Sequence, residues 1–192
     1  MEKNSVTNKC SLLIIGGSAG SLDIILKLLP DLRSDLPFPV IIVLHRKNSS
    51  DSVLADLFAS KTSLIVKEAE EKDIISVGCI YIAPADYHLL IEKDHTLSLD
   101  FSEKVNFSRP SIDVTFETAA EVYQSQLACM LLSGANGDGT EGLKVVKAFG
   151  GMVMVQNPVT ARVAYMPEKA IAAVEVDRII DVDEMADGIN SL

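Results

Sequence analysis

Serine, histidine and aspartate, the residue types of a nucleophilic catalytic triad, each follow an apolar run in this chain. Ser18 lies in Gly16-Gly17-Ser18-Ala19-Gly20, directly after Leu12-Leu13-Ile14-Ile15 and before a helix-like segment from Ser21 to Leu29. A glycine-lined strand-to-helix turn lets the chain bend sharply, lifts a hydroxyl above the sheet and turns helix-start N–H groups toward negative charge. His45 ends Val40-Ile41-Ile42-Val43-Leu44, and Asp138 lies in Gly134-Ala135-Asn136-Gly137-Asp138-Gly139 after the run Leu127 to Leu132. In an open parallel sheet the carboxyl ends of strands share one edge, where sites assemble. Ser, His and Asp would converge there, the serine attacking, the imidazole taking its proton and the carboxylate orienting the ring. Their order differs from that of α/β-hydrolases, in which the acid precedes the histidine.

Each residue also has a plainer use. Ser18 suits a helix N-cap or a phosphate-cradling hydroxyl, although a G-x-G-x-x-G fingerprint would need glycine where Ser18 stands. A histidine after a buried strand can be a satisfied structural residue. Gly137-Asp138-Gly139 is good turn chemistry, and an acid near a helix start complements its dipole. His88 falls in a hairpin-like region and His95 on its turn, so His45 is the one histidine at the expected edge. The joint placement supports a serine hydrolase better than any single residue does.

The elements that must hold these residues alternate along the chain. Apolar runs predict strands at 12–15, 40–44, 63–67, 127–132, 152–156 and 178–181. Amphipathic stretches predict helices at 21–29, 51–59, 111–122, 139–148 and 167–174. Near-continuous apolar strands separated by helices indicate an α/β fold with a parallel sheet covered on both faces. Asp51 and the serines before it suit a cap for the second helix, Pro110 suits the first turn of the next, and Gly150-Gly151 suits the end of the helix after Asp138. Gly78 to Ile82, His88 to Glu92 and Thr96 to Asp100 look like short strands of an antiparallel excursion at the sheet edge. No linker or repeat divides the chain, so Met1 to Cys10 reads as a tail and residues 11–192 as one domain.

Composition narrows the function classes. The chain has 192 residues, 48% of them hydrophobic, enough for one well-developed core. Its net charge of −10 disfavours a nucleic-acid surface or an anionic membrane. No apolar run approaches the roughly 20 residues that span a bilayer, and the polar start lacks a secretion signal. A cytoplasmic location without membrane insertion is the expectation. Cys10, Cys79 and Cys129 have no metal-ligand spacing and read as packing residues. Local cations for an anionic target would come from Arg46, Lys47 and Arg109.

Taken together, these motifs resemble the chemotaxis protein-glutamate methylesterase family, the CheB catalytic domain, over about residues 11 to 181. The likeness runs through Gly16 to Ser21, Leu44-His45-Arg46, Val66-Lys67-Glu68-Ala69-Glu70 and Tyr81-Ile82-Ala83-Pro84. It continues through Arg109-Pro110-Ser111-Ile112-Asp113, Ser133-Gly134 with Asp138-Gly139, and Gln156-Asn157. The resemblance implies Ser18 as nucleophile, His45 as general base and Asp138 as orienting acid. Backbone N–H groups near Ala19 and Ala135 are the oxyanion candidates, and Arg46 and Arg109 the substrate candidates. It implies a three-layer αβα sandwich, mostly parallel with a small antiparallel hairpin, and needs no metal or organic cofactor. The implied activity is hydrolysis of glutamate γ-methyl esters on the cytoplasmic helices of methyl-accepting chemoreceptors, releasing methanol, with deamidation of receptor glutamines as a second activity. Ala19 and Ser21 stand where well-known members have threonine and glycine. The rivals are an esterase or amidase for another substrate, a catalytically weak receptor-binding module and a nucleotide-binding domain.

In full-length members a receiver domain covers the active-site face until it is phosphorylated. The stretch from Met1 to Cys10 is too short for such a domain, which needs roughly a hundred residues. Basal methyl release by this chain is therefore expected to be independent of a phosphodonor, as checked with and without acetyl phosphate.

Overall fold

The pleat of the first strand explains the layering. In β1 (Leu12–Gly17), Leu13 and Ile15 face one side of the sheet, Leu12 and Ile14 face the other, and all four are buried. Such a strand needs cover on both faces. The computed structural model describes residues 9–46 and 51–192 and supplies that cover. After β1 come α1 (Ser21–Leu28), β2 (Val40–Leu44), α2 (Asp51–Ala59), β3 (Ile65–Glu68) and β4 (Cys79–Ile82). The chain continues with β5 (His88–Ile91), β6 (Leu97–Asp100), α3 (Ile112–Tyr123) and β7 (Leu127–Leu131). It ends with α4 (Thr140–Ala148), β8 (Met152–Gln156), α5 (Tyr165–Ala173), β9 (Arg178–Ile180) and α6 (Met185–Asn190).

Seven strands form one parallel sheet in the order β3-β4-β2-β1-β7-β8-β9. Ile25 of α1, Phe58 of α2 and Met185 of α6 pack on the face that presents Leu13 and Ile15. Phe116 of α3, Leu143 of α4 and Met166 of α5 pack on the face of Leu12 and Ile14. The result is the expected three-layer αβα sandwich. Each fully buried aliphatic side chain stabilises it by about 1.5–3 kcal/mol.

Two expectations shift. The segment Gly78 to Ile82 does not belong to the antiparallel excursion: as β4 it runs parallel between β3 and β2. Ile80 and Ile82 are buried in one core and Tyr81 in the other, so the strand has the two-sided burial of an interior strand. Among the described residues, β5 and β6 alone form the antiparallel strand pair, a separate two-stranded sheet. Pro110 precedes the α3 helix rather than entering its first turn. Ser111 is the N-cap, with extended backbone at φ −100° and ψ 135°, and the helix begins at Ile112. The expected cap at Asp51 involves residues 47–50, outside those described. Gly150, at φ 81°, follows the end of α4 as expected.

The winding of the sheet places its edge site. β1 is flanked by β2 on one side and β7 on the other, so the chain's progress across the sheet reverses at β1. Crevices form at such switch points, beyond the carboxyl ends of the strands. Ser18 follows β1 there. In the register Gly17 pairs with Leu44, so Ser18 and His45 are the next residues on neighbouring strands.

Gly20 makes the turn into α1 possible. It is the helix N-cap at φ 86°, and a Cβ there would lie 2.7 Å from Cβ of Arg162. Gly78 has a similar φ of 83° with nothing within 4 Å of its Cβ position. Gly78→Ala should thus cost only the left-handed strain, about 1–2 kcal/mol. Gly20→Ala should cost more, because Arg162 must also move. Urea melts of both variants check the order.

Candidate active site

The Asp138 carboxylate is fully buried and receives donors from three separate segments. Its Oδ2 accepts from His45 Nε2 at 2.7 Å and from the Ile112 N–H at 2.6 Å. Its Oδ1 accepts from Ser111 Oγ at 2.8 Å, the Asp113 N–H at 3.1 Å and Asn106 Nδ2 at 3.2 Å. Asp138 therefore caps α3 from a distant loop, taking N–H groups that a helix start leaves without internal partners. The helix-start role allowed for this acid is real, but the helix is α3 and not α4, which follows Asp138 in the chain. Burial opposes the charged form. The hydrogen bond from His45, the Ile112 N–H and the Ser111 hydroxyl outweigh it and hold the carboxyl down at about 2.

A carboxylate offers only acceptors, so His45 presents Nε2–H to Asp138 and leaves the Nδ1 lone pair for other work. In the familiar serine-protease arrangement the acid holds Nδ1 and the serine faces Nε2. Here the ring is used the other way round. Ser108 Oγ lies 3.4 Å from Nδ1. No hydrogen bond from the Ser18 hydroxyl forms among the described residues. Such bonds are commonly long before substrate binds.

The Ser18 loop is held from below. The Ser18 N–H donates to the Ser133 carbonyl at 2.9 Å, and the Ser21 hydroxyl donates to the same carbonyl at 2.7 Å. Ser133 Oγ donates to the Ala19 carbonyl at 2.7 Å, while the Ser133 N–H donates to buried Gln156 Oε1 at 2.9 Å. Ser21 and Ser133 thereby lock the loop, with Gln156 behind them. Ser18 itself caps nothing, since Gly20 is the N-cap. The backbone N–H groups of Ala19 and Ala135, both exposed, make no hydrogen bond among the described residues. They are free to meet a developing negative charge.

Arg46 and Arg109 both border the cleft beside His45, a space of about 350 Å³ also lined by Lys104, Phe107 and Asp86. Their guanidinium groups are engaged. Arg46 Nη2 donates to Glu68 Oε1 and to the Ala83 carbonyl, tying together the ends of β2, β3 and β4. Arg109 Nη1 donates to the carbonyls of Phe101 and Ser102, and the guanidinium stacks 3.9 Å over the Phe101 ring. A larger cavity of about 600 Å³, lined by Cys10, Gly151 and Arg178 among others, contains none of the site residues. The three cysteines are free thiols, Cys10 and Cys129 buried.

Sequence reasoning did not single out Asn106, Ser108, Asp113 or the role of His88. His88 Nδ1 accepts the Ser111 N–H at 3.1 Å, so its Nε2 carries the proton given to the Glu103 carbonyl at 2.9 Å. This neutral ring pins the segment between β6 and α3. Asp113 accepts from the Gly142 N–H at 2.7 Å and from Asn106 Nδ2 at 2.8 Å. Burial, and then the nearby Asp138 charge, push its carboxyl up to about 7, against the pull of the Gly142 N–H. Ser111 and Asp113 had stood in the motif Arg109-Pro110-Ser111-Ile112-Asp113, the one available signal; Asn106 and Ser108 just precede it.

Comparison with known proteins gives the family of the chain. Residues 13–189 match the family model described as CheB methylesterase. The chain belongs to that family. It is 35% identical over 186 residues to the Thermotoga maritima protein-glutamate methylesterase/protein-glutamine glutaminase, covering 94% of this chain and 53% of that protein. A Leptospira interrogans protein whose name carries the same two activities provisionally is 46% identical over 175 residues, 91% of each chain. The crystal structure of the Thermotoga maritima CheB methylesterase catalytic domain superposes with a TM-score of 0.91 at 31% identity. It covers 95% of this chain and 98% of that one. Among the described residues, no helix is long and apolar enough to cross a membrane.

Asp113 has a consequence for stability. A carboxyl raised in the folded state favours folding fully below its unfolded value of about 4, and that contribution fades as pH rises through about 7. Urea melts of the wild type should show stability gained between pH 8 and pH 5.5, and Asp113→Asn should remove much of that gain.

Proposed function

We propose that this chain is a serine hydrolase that removes methyl groups from glutamate γ-methyl esters on the cytoplasmic helices of chemoreceptors. The 2.7 Å pair between His45 Nε2 and Asp138 Oδ2, at the strand edge that bears Ser18, carries the reading. The names of the family's curated relatives support both the substrate and a companion deamidation of glutamines.

Ser18 Oγ attacks the ester carbonyl and passes its proton to His45 Nδ1. Asp138 keeps the proton on Nε2 and stabilises the imidazolium that forms. The N–H groups of Ala19 and Ala135 receive the oxyanion. The tetrahedral intermediate collapses to an acyl-enzyme as methanol leaves with the proton from His45. Water, deprotonated by the same nitrogen, then attacks the acyl carbon, releasing the glutamate carboxylate and restoring Ser18. An amide would follow the same path with ammonia as leaving group. The electron sink is the oxyanion throughout, so the residues named here suffice for hydrolysis.

Arg46, bound to Glu68, supports the edge of the cleft, whereas Arg109 and Lys104 give it positive character in an otherwise acidic protein. The site of action is the cytoplasm, where such receptor helices lie.

Three substitutions test the assignment on a tritium-methylated receptor fragment, counting released methanol. Ser18→Ala should lower kcat by about 10⁶-fold, as loss of a triad serine does elsewhere, with an unchanged melting curve. Asp138→Asn should lower it by up to about 10⁴-fold, since an amide can present its donor to Nε2 and favour the wrong tautomer. Arg109→Gln should weaken receptor turnover more than turnover of an uncharged small ester. Near-wild-type methanol release by Ser18→Ala would refute the mechanism.

A further inference from the structure

The segment between β6 and α3 makes one tight reversal, from Val105 to Ser108. Their backbones pair in both directions, with Ser108 N–H to Val105 O at 2.9 Å and Val105 N–H to Ser108 O at 3.2 Å. The two central residues, Asn106 and Phe107, have φ of 50° and 62°. Positive φ at both positions is the signature of a type I′ turn, which normally takes glycine second. Asparagine tolerates its place, but an aromatic residue in the left-handed region is an outlier. The Phe107 side chain gains nothing from the core in return, because it is 97% exposed.

The flanking residues hold the turn over the site. Asn106 Nδ2 donates to Asp138 and to Asp113, and Ser108 Oγ lies beside His45 Nδ1. Phe107 therefore projects from a turn whose neighbours touch the acid and the base, and it lines the same cleft as His45. Strained residues of this kind persist where surroundings dictate them, and they cluster at ligand clamps.

We propose that Phe107 is a specificity-determining residue that packs on the substrate helix beside the esterified glutamate. This rests on the reading of the site as a receptor methylesterase. The chemistry of the cleft supports that occupant. Arg109, which lines the cleft with Phe107, stacks on Phe101 just behind it, and Phe101 pairs with Tyr87 at a ring-centroid separation of 5.5 Å. Neither Lys104 nor Arg109 has a carboxylate ion-pair partner among the described residues, although Asp86 also lines the space. An apolar face with cations beside it suits a helix that carries an apolar methyl ester among acidic side chains. In a chain of net charge −10, such an acidic helix would otherwise be repelled. Attachment of Asn106 and Ser108 to the triad lets contact at Phe107 align substrate and catalytic groups together.

The test compares wild type, Phe107→Gly, Phe107→Tyr and Phe149→Ala on a tritium-methylated receptor fragment and on a small glutamate γ-methyl ester. Phe107→Gly should raise the receptor KM about tenfold or more and reduce small-ester turnover by a lesser factor. It should keep or raise the melting temperature, because glycine adopts the left-handed turn without strain. Phe107→Tyr should retain most of the affinity. Phe149→Ala, an exposed aromatic at the far end of α4, should change neither substrate. If wild type releases no methanol from the receptor fragment, the methylesterase reading falls and this proposal with it. If wild type is active and Phe107→Gly keeps its receptor KM, the role of Phe107 alone is refuted. A lowered melting temperature with equal losses on both substrates would mark a merely structural residue. A concentration-dependent dimer abolished by Phe107→Gly, with receptor KM unchanged, would assign the face to a second copy of this chain and overturn the proposal.

Discussion

One buried carboxylate organises this edge of the sheet. Asp138 has no solvent to stabilise its charge, so the fold must bring donors to it. It does so from the end of β2, the start of α3 and the turn before α3. Charge-assisted hydrogen bonds are roughly twice as strong as neutral ones, and leaving such a charge unpaired would cost far more. The Asp138 loop, the α3 helix and His45 are thus mutually dependent. The stability of the helix start and the readiness of the proposed base are two effects of the same contact set.

Because Asp138 occupies Nε2, only Nδ1 of His45 is left to serve the proposed chemistry. In the proposed mechanism the nucleophile would approach from that side, so the neighbours of Nδ1 matter. Ser108 stands at 3.4 Å from that nitrogen, with Asn136 Nδ2 at 3.4 Å from the same hydroxyl. The arrangement keeps a polar partner near the lone pair when no substrate is present. His88 reinforces it from behind by holding Ser111 and Glu103, the two sides of the segment that delivers Ser108.

The Ser18 loop is held by different means. Its rigidity comes from neutral hydrogen bonds through Ser133, Ser21 and Gln156 rather than from charge. These bonds leave the Ala19 N–H free while consuming those of Ser18 and Ser133. Gln156 belongs to β8, one strand beyond β7, so the second layer of the site reaches across the sheet. That is why motifs widely separated in the chain, Ser133-Gly134 and Gln156-Asn157, belong to one constellation.

Local pattern determined much of this protein. The apolar runs of β1, β2, β7 and β8 announce a two-sided parallel sheet because period and burial are properties of short segments. Parallel strands share a carboxyl edge, so Ser18, His45 and Asp138 could be placed together before any contact was known. Tertiary structure decided what periodicity does not encode. Cys79–Ile82 looked like part of a hairpin, yet it found a slot between β3 and β2, because strand partners depend on which faces remain uncovered. Asp138 looked like a residue at the start of its own helix, yet it caps α3, 26 residues distant from Ile112 in sequence. The ring nitrogen assigned to each partner, the carboxyl of Asp113 and the exposure of Phe107 are likewise products of assembly. Each depends on burial and on donors brought from distant segments, quantities that exist only once the chain has folded.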